Sequence, residues 1–208
     1  MLRRIFLCLA VLASAHSIAP AMAQDRAEDS EAALWRRLQA GGHVLVIRHA
    51  ATDPGVGDPP GFTLADCASQ RNLSAAGRAD AQALGAAFKR LGVPVGRVLS
   101  SRWCRCVDTA RLAFGRVETA PMLDSGMADD DTARERKLTG VRAAVTEAAA
   151  SRGGANLVLV THDVNIRALT GDRLAQGEMV VATPRADGSL AVVGRLGVPR
   201  SGDAATSM

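Results

Sequence analysis

Two histidines and two arginines stand where they could act on one group. His49 lies in Arg48-His49-Ala50, directly after the apolar run Val44-Leu45-Val46-Ile47. An unprotonated imidazole at the mouth of a buried strand, beside an arginine, can be a nitrogen nucleophile toward phosphate. The tripeptide alone says little. Its weight comes from Ser100-Ser101-Arg102-Trp103-Cys104-Arg105 and from Val160-Thr161-His162-Asp163, each after an apolar strand-like run. Phosphoryl transfer is mostly positioning plus electrostatic stabilisation. Arg48 and Arg105 can fork onto the phosphoryl oxygens, and a helix N-terminus after Ser100-Ser101 can add backbone N–H donors. His162 can hold the equatorial oxygens while His49 attacks in line, giving a phosphohistidine that water hydrolyses. The arginines supply the positive charge, so this scheme calls for no metal and no cofactor.

The departing oxygen needs a proton. Asp163 is the first candidate donor, being next to His162. It also precedes Val164 to Leu169, a helical segment, and is equally a candidate N-cap; one residue can do both. Asp124, Glu118 and Asp129-Asp130-Asp131 are weaker candidates, because an acidic run in a loop is usually solvated. His43 borders or caps its strand.

The elements that must position these groups alternate along the chain. Helices are expected over residues 31–40, 75–90 and 132–152, the second N-capped by Ser74 and carrying Leu84, Phe88 and Leu91 as one apolar stripe. A further helix capped by Ser100-Ser101 puts Val107, Ala110 and Phe114 on one face and turns Arg105 away from it. Strands are expected at 44–47, 98–99 and 157–160, and a hairpin at 179–182 and 190–193. Asp53 to Gly61 is a long Pro/Gly-rich loop, read as a wall or lid of a site or as a disordered stretch; it lacks the Lys-Ser/Thr of a phosphate-binding P-loop. The whole reads as a single-domain, three-layer α/β/α sandwich around a mainly parallel sheet. His49, Ser100-Ser101 and His162 all follow strands, and ligands in such sheets bind outside the strands' carboxyl ends.

Arg3 and Arg4, the apolar stretch from Ile5 to Leu12, and Ala21-Met22-Ala23 read as a cleavable export signal over residues 1–23. The apolar stretch is too short for the roughly 20 residues of a spanning helix. A domain over 24–200 and a frayed tail over 201–208 complete the division, which puts the mature protein in the periplasm or outside the cell without stable membrane insertion. The formal net charge is +4 and tyrosine is absent; neither an electrostatic footprint nor a stacking platform for nucleic acid is present. Once the leader with Cys8 has gone, Cys67, Cys104 and Cys106 remain. If Arg105 is helical, Cys104 and Cys106 point to opposite sides, and either can bond Cys67 or all three can stay buried thiols. No Cys-x-x-Cys pair or histidine cluster suggests a metal site.

The sequence resembles the histidine phosphatase superfamily, which includes phosphoglycerate mutases and histidine acid phosphatases. The resemblance runs from about Gly42 to Gly177. It rests on Arg48-His49-Ala50, on Arg71-Asn72-Leu73-Ser74-Ala75-Ala76-Gly77-Arg78, on Ser100-Ser101…Arg105…Thr109-Ala110, and on Val158 to His162. It is also similar to small exported members in Asp66-Cys67, Gln70 to Leu73, Trp103 to Cys106 and Thr161 to Ile166. The resemblance implies His49 as nucleophile, with Arg48, Arg105 and His162 as phosphate ligands. Arg102 replaces a frequent proline, and the mutase glutamate has no clear match near Leu123 to Gly126. His162-Asp163 is similar to the His-Asp pair of acid phosphatases, where the aspartate donates the proton. The expected function is therefore an exported, metal-independent phosphomonoesterase acting on a small phosphorylated substrate such as a sugar or envelope glycan phosphate. The alternatives are a pseudophosphatase that binds the ester without efficient turnover, a protein phosphohistidine phosphatase and, last, a mutase. The sequence is silent on oligomeric state.

Overall fold

A computed structural model describes residues 19–151 and 154–198, with side chains described from Ser30 onward. The first 18 residues of the expected leader and the tail at 201–208 lie outside the described residues. One six-stranded sheet runs through the molecule in the order β3-β2-β4-β1-β5-β6. These strands are β1 (Val44–Arg48), β2 (Val95–Ser100), β3 (Glu118–Thr119), β4 (Asn156–Thr161), β5 (Met179–Pro184) and β6 (Leu190–Leu196). β1, β2, β3 and β4 pair in parallel, while β5 and β6 form the antiparallel hairpin that closes one side. The helices are α1 (Ala19–Ala40), α2 (Ala75–Arg90), α3 (Cys104–Phe114), α4 (Asp131–Ala150) and α5 (Asp163–Thr170).

Successive strand residues point to opposite faces, and here both faces are covered. Leu45, Ile47, Val98, Val158, Val160, Met179 and Val181 join the core under α1, α2 and α3. Val44, Val46, Leu99, Leu157, Leu159, Val180 and Ala182 join the second core, with Val141, Ala144 and Val145 of α4 and Ile166 of α5. This accounts for the unbroken apolar runs, since a strand buried on both sides has no polar face. Each fully buried leucine or isoleucine contributes roughly 1.5–3 kcal/mol.

Register decides where the site lies. Arg48 pairs with Thr161 across β1 and β4, and Ser100 pairs with Val160 across β2 and β4. Beyond the ladder, His49 N–H donates to Thr161 O at 3.1 Å and Ser101 N–H to Val160 O at 3.0 Å. Three strands therefore end level, and His49, Ser101 and His162 leave the sheet at one edge.

Several boundaries differ from the sequence expectations. α1 starts at Ala19 rather than Glu31 and so runs through the expected cleavage segment; alanine, methionine, glutamine and arginine there are all strong helix formers. β2 begins at Val95 because backbone pairing with Asn156 carries it past Gly96 and Arg97, which break the apolar run. Ser74 does cap α2, accepting from Gly77 N–H at 3.1 Å. Gly77 itself is required, since a Cβ there would stand 1.9 Å from Ala51 O; the helix starts hard against the chain leaving β1. Among the described residues no helix is long and apolar enough to cross a membrane.

Candidate active site

His49 is 4% exposed at the end of β1. Its Nδ1 lies 3.0 Å from Ala50 O, and a carbonyl only accepts, so Nδ1 carries the proton and the lone pair is on Nε2. Burial, with the positive charges of Arg105, Arg48 and Arg71, lowers its pKa to about 4. It is thus a neutral nitrogen base over the ordinary pH range. Thr109 holds the next residue in place, accepting from Ala50 N–H at 3.0 Å while donating to Arg105 O at 2.7 Å.

His162 follows β4 and is 5% exposed. Its ring centroid lies 5.5 Å from that of His49, and burial, then the mutual repulsion of the two rings when protonated and the charge of Arg105, keep its pKa well below the usual value. Its Nε2 sits 2.9 Å from Ser101 Oγ and 3.6 Å from Cys106 Sγ. Cys106 is the buried free thiol, its pKa pushed up to about 12 by burial.

The expected capping of α3 by Ser100-Ser101 does not occur. The N-cap is Trp103, with no side-chain hydrogen bond, and Ser101 is drawn instead to His162 and Asp124. The first N–H of that helix, on Cys104, donates to Gln70 Oε1 at 3.0 Å, so it is already used within the protein. Arg105 is buried rather than facing solvent. Asp58, from the Pro/Gly-rich loop, takes its Nη1 at 2.6 Å and its Nη2 at 3.2 Å. The same carboxylate accepts from Arg71 N–H at 3.0 Å and Trp103 Nε1–H at 2.9 Å. Burial alone would raise the pKa of Asp58, but the Arg105, Arg71 and Trp103 hydrogen bonds overcome it and hold it below the usual carboxylate value. The loop is therefore a wall of the site, tied down by one aspartate. The disulfide joins Cys67 to Cys104, with Cα atoms 5.7 Å apart, and fastens the same segment to α3.

Arg48 donates from Nη1 to Leu174 O at 2.5 Å and stands 3.9 Å from Asp163 Oδ1. Arg48, Arg71 and Arg105 each leave Nε without a hydrogen-bond partner, and all three line one cavity of about 1170 Å³ with His49, His162 and Asp163. Unpaired buried donors are costly and rare. Three guanidiniums around one histidine make this cavity wall strongly positive.

Asp163 is the first residue of α5, and the N-cap is His162. Its carboxylate does not cap that helix: it accepts from Leu174 N–H at 3.4 Å and faces Arg48 and Arg173, each at 3.9 Å. Of the weaker acids, Glu118 is exposed and paired with Arg97, Asp130 caps α4, and Asp131 is solvated beside Arg134. Asp129 pairs with Lys137 at the cavity wall. Asp124 is different. It is 4% exposed and lines the cavity, but Arg102 binds it from N–H at 2.8 Å, Nε at 2.8 Å and Nη2 at 2.5 Å. His43 donates its backbone N–H to Asn156 Oδ1 and only borders its strand. Among the described residues no group of three or more His, Cys, Asp or Glu is placed to hold a metal ion.

No curated protein matches the chain by sequence. A family model described as the histidine phosphatase superfamily, branch 1, matches residues 44–137, the stretch that carries Arg48, His49, Arg71 and Arg105. Over that stretch the chain is similar to the histidine phosphatase superfamily. Solved structures share the fold. The protein histidine phosphatase SixA complexed with tungstate is 18% identical, with a TM-score of 0.54 over 74% of this chain and 96% of that one. A phosphoglycerate mutase from Bacillus anthracis is 16% identical, with a TM-score of 0.52 over 72% and 90%. A phosphoserine phosphatase from Entamoeba histolytica in complex with 3-phosphoglyceric acid is 15% identical, with a TM-score of 0.52 over 74% and 95%. At these identities the likeness is one of fold.

The four expected residues, Arg48, His49, Arg105 and His162, meet in one cavity. Asp58 and Asn165 were not singled out by the sequence reading. Asn165 donates from Nδ2 to Leu123 O at 3.0 Å and Asp124 O at 2.8 Å, and accepts from Gly126 N–H at 2.9 Å. It thereby sets the turn that carries Asp124. Its signal was visible, since a polar residue three positions after His162 lies on the same helical face.

Proposed function

We propose that the protein is an exported phosphomonoesterase that works without a metal ion, through a phosphohistidine, on a small phosphoester. The observation that carries this reading is His49, its Nδ1 held at Ala50 O so that the lone pair is on Nε2, lining one cavity with Arg48, Arg71 and Arg105. Arg48, Arg71 and Arg105 hold the phosphoryl oxygens, and His49 Nε2 forms the N–P bond as the ester P–O bond breaks. Asp163 gives its proton to the departing oxygen. Water then attacks phosphorus, Asp163 takes back a proton, and the N–P bond breaks to release inorganic phosphate. The cavity, at about 1170 Å³, has room for much more than a phosphoryl group, which suits a sugar phosphate or an envelope glycan phosphate. Export is supported by the leader-like residues Arg3 to Ala23 and by the Cys67–Cys104 disulfide, since such bonds persist mainly in oxidising compartments.

The test is hydrolysis of p-nitrophenyl phosphate by the purified chain with a chelator present, beside His49→Ala. Turnover in the wild type, lost in the variant, is the expected result. Activity retained by His49→Ala refutes the nucleophile, and turnover abolished by the chelator refutes metal independence. Tungstate binding without any turnover refutes hydrolysis and leaves an anion-binding protein. N-terminal sequencing of protein recovered from the periplasm should begin at Gln24; a chain that stays in the cytoplasm with Met1 intact refutes export.

A further inference from the structure

We propose that Ser101 is a proton switch, coupling the arrival of a dianionic phosphoryl group to protonation of His162, with Asp124 as the fixed negative charge behind it. The inference rests on the phosphoester reading above. Ser101 is fully buried, and its hydroxyl carries one proton. Two groups face it: Asp124 Oδ1 at 3.3 Å, which accepts, and His162 Nε2 at 2.9 Å, which accepts when the imidazole carries its proton on Nδ1. It can serve only one of them at a time. Trp103 N–H donates to the same oxygen at 3.3 Å, which occupies one lone pair whichever way the hydroxyl turns.

Before an anion binds, the hydroxyl donates to the nearer His162 Nε2, and the neutral imidazole keeps its proton on Nδ1. His49 from β1, Arg105 from α3 and Lys137 from α4 oppose a positive charge on His162, while Asp58 favours one. Cys106 Sγ and the Trp103 ring complete its surroundings, and neither supplies a charge. A dianion in the cavity reverses this balance. A proton from solvent then binds Nε2, Nε2–H donates to Ser101 Oγ, and the hydroxyl turns to donate to Asp124. Asp124 cannot turn away, because Arg102 holds it through three nitrogens. Without the hydroxyl, Asp124 has no hydrogen-bonded path to the ring.

The test is titration calorimetry of the full chain with sodium tungstate near pH 7, in two buffers of unlike ionisation enthalpy, which counts protons taken up on binding. Tungstate is a tetrahedral dianion that does not itself titrate there. Wild type should take up a proton, approaching one per tungstate, and bind more tightly as pH falls. Ser101→Ala should bind tungstate with its melting temperature preserved but without proton uptake, and Asp124→Asn should behave alike. His49→Ala should keep the uptake, because the proton belongs to His162. Unchanged uptake in Ser101→Ala overturns the switch, and so does loss of uptake in His49→Ala. The parent reading stands or falls separately, on turnover of p-nitrophenyl phosphate by wild type.

Discussion

Replacing Asp58 by alanine would remove the one carboxylate that pairs with Arg105 among the described residues. The two side chains are only 7% and 6% exposed, so the change strands a buried guanidinium. Removing one partner of a buried ion pair costs ~3–5 kcal/mol. Arg71 N–H and Trp103 Nε1–H lose their acceptor as well, at about 1 kcal/mol each where water cannot follow. The cavity alongside lets water reach part of the gap, so a total near the lower end, about 3 kcal/mol, is expected. At about 2–4 °C per kcal/mol for a chain of this size, the melting temperature should fall by roughly 6–12 °C. Function should suffer too. Asp58 takes Nη1 and Nη2 of Arg105, so it fixes how the guanidinium is turned at the cavity wall. Losing that orientation should lower kcat/KM toward p-nitrophenyl phosphate about 10- to 100-fold. Scanning calorimetry and steady-state kinetics on Asp58→Ala and Asp58→Asn make the measurement, with asparagine giving the smaller loss on both. A variant that melts like wild type refutes the stability argument. One that binds tungstate more tightly and turns over faster refutes the clamp, for Asp58 would then be competing with phosphate for Arg105.

Asp163→Asn should slow alkyl phosphates far more than activated aryl phosphates, because a good leaving group needs little protonation; equal losses would remove Asp163 as proton donor. His49 has a folded-state pKa of about 4 against 6.5 for the free side chain, so the unfolded chain binds its proton first. Its contribution to stability is complete above about pH 6.5 and is lost as pH falls, levelling off below about pH 4 after roughly 3 kcal/mol. Urea unfolding of wild type and His49→Gln across that range should show the variant losing less on acidification; parallel curves would refute the shifted pKa. Replacing Cys67 and Cys104 together by serine reopens a link between residues 37 apart in sequence. By the chain-entropy model that costs about 4 kcal/mol, and KM should rise as the Asp58–Arg71 segment loosens from α3. An unchanged melting temperature would mean that the bond does not form.

The apolar runs of β1 and β4, the Ser74 cap and the tripeptide Arg48-His49-Ala50 were legible in the sequence because their signals are local. A strand covered on both faces must be apolar throughout, and a helix start must satisfy its first N–H groups within a few residues. The place of His49 was legible for a related reason, since a residue directly after a buried parallel strand can only emerge at the carboxyl edge of the sheet. Other assignments had no local answer. Ser100-Ser101 has the composition of a helix cap, yet Ser101 answers to His162 and Asp124, which lie 61 and 23 residues away. Asp163 has the position of a cap, yet its carboxylate turns to Leu174 N–H and to two arginines. Cys67 had two partners in prospect, and the packing of its segment on the start of α3 chose Cys104. Asp58 carried no signal at all within its Pro/Gly-rich loop, although it meets Arg105 across 47 residues. By itself, then, the chain determined every strand but β3, the burial of β1 and β4, and the edge at which His49 and His162 appear. Only the tertiary structure decided which buried charges face each other, because a side chain's partner is set by where distant backbone comes to rest.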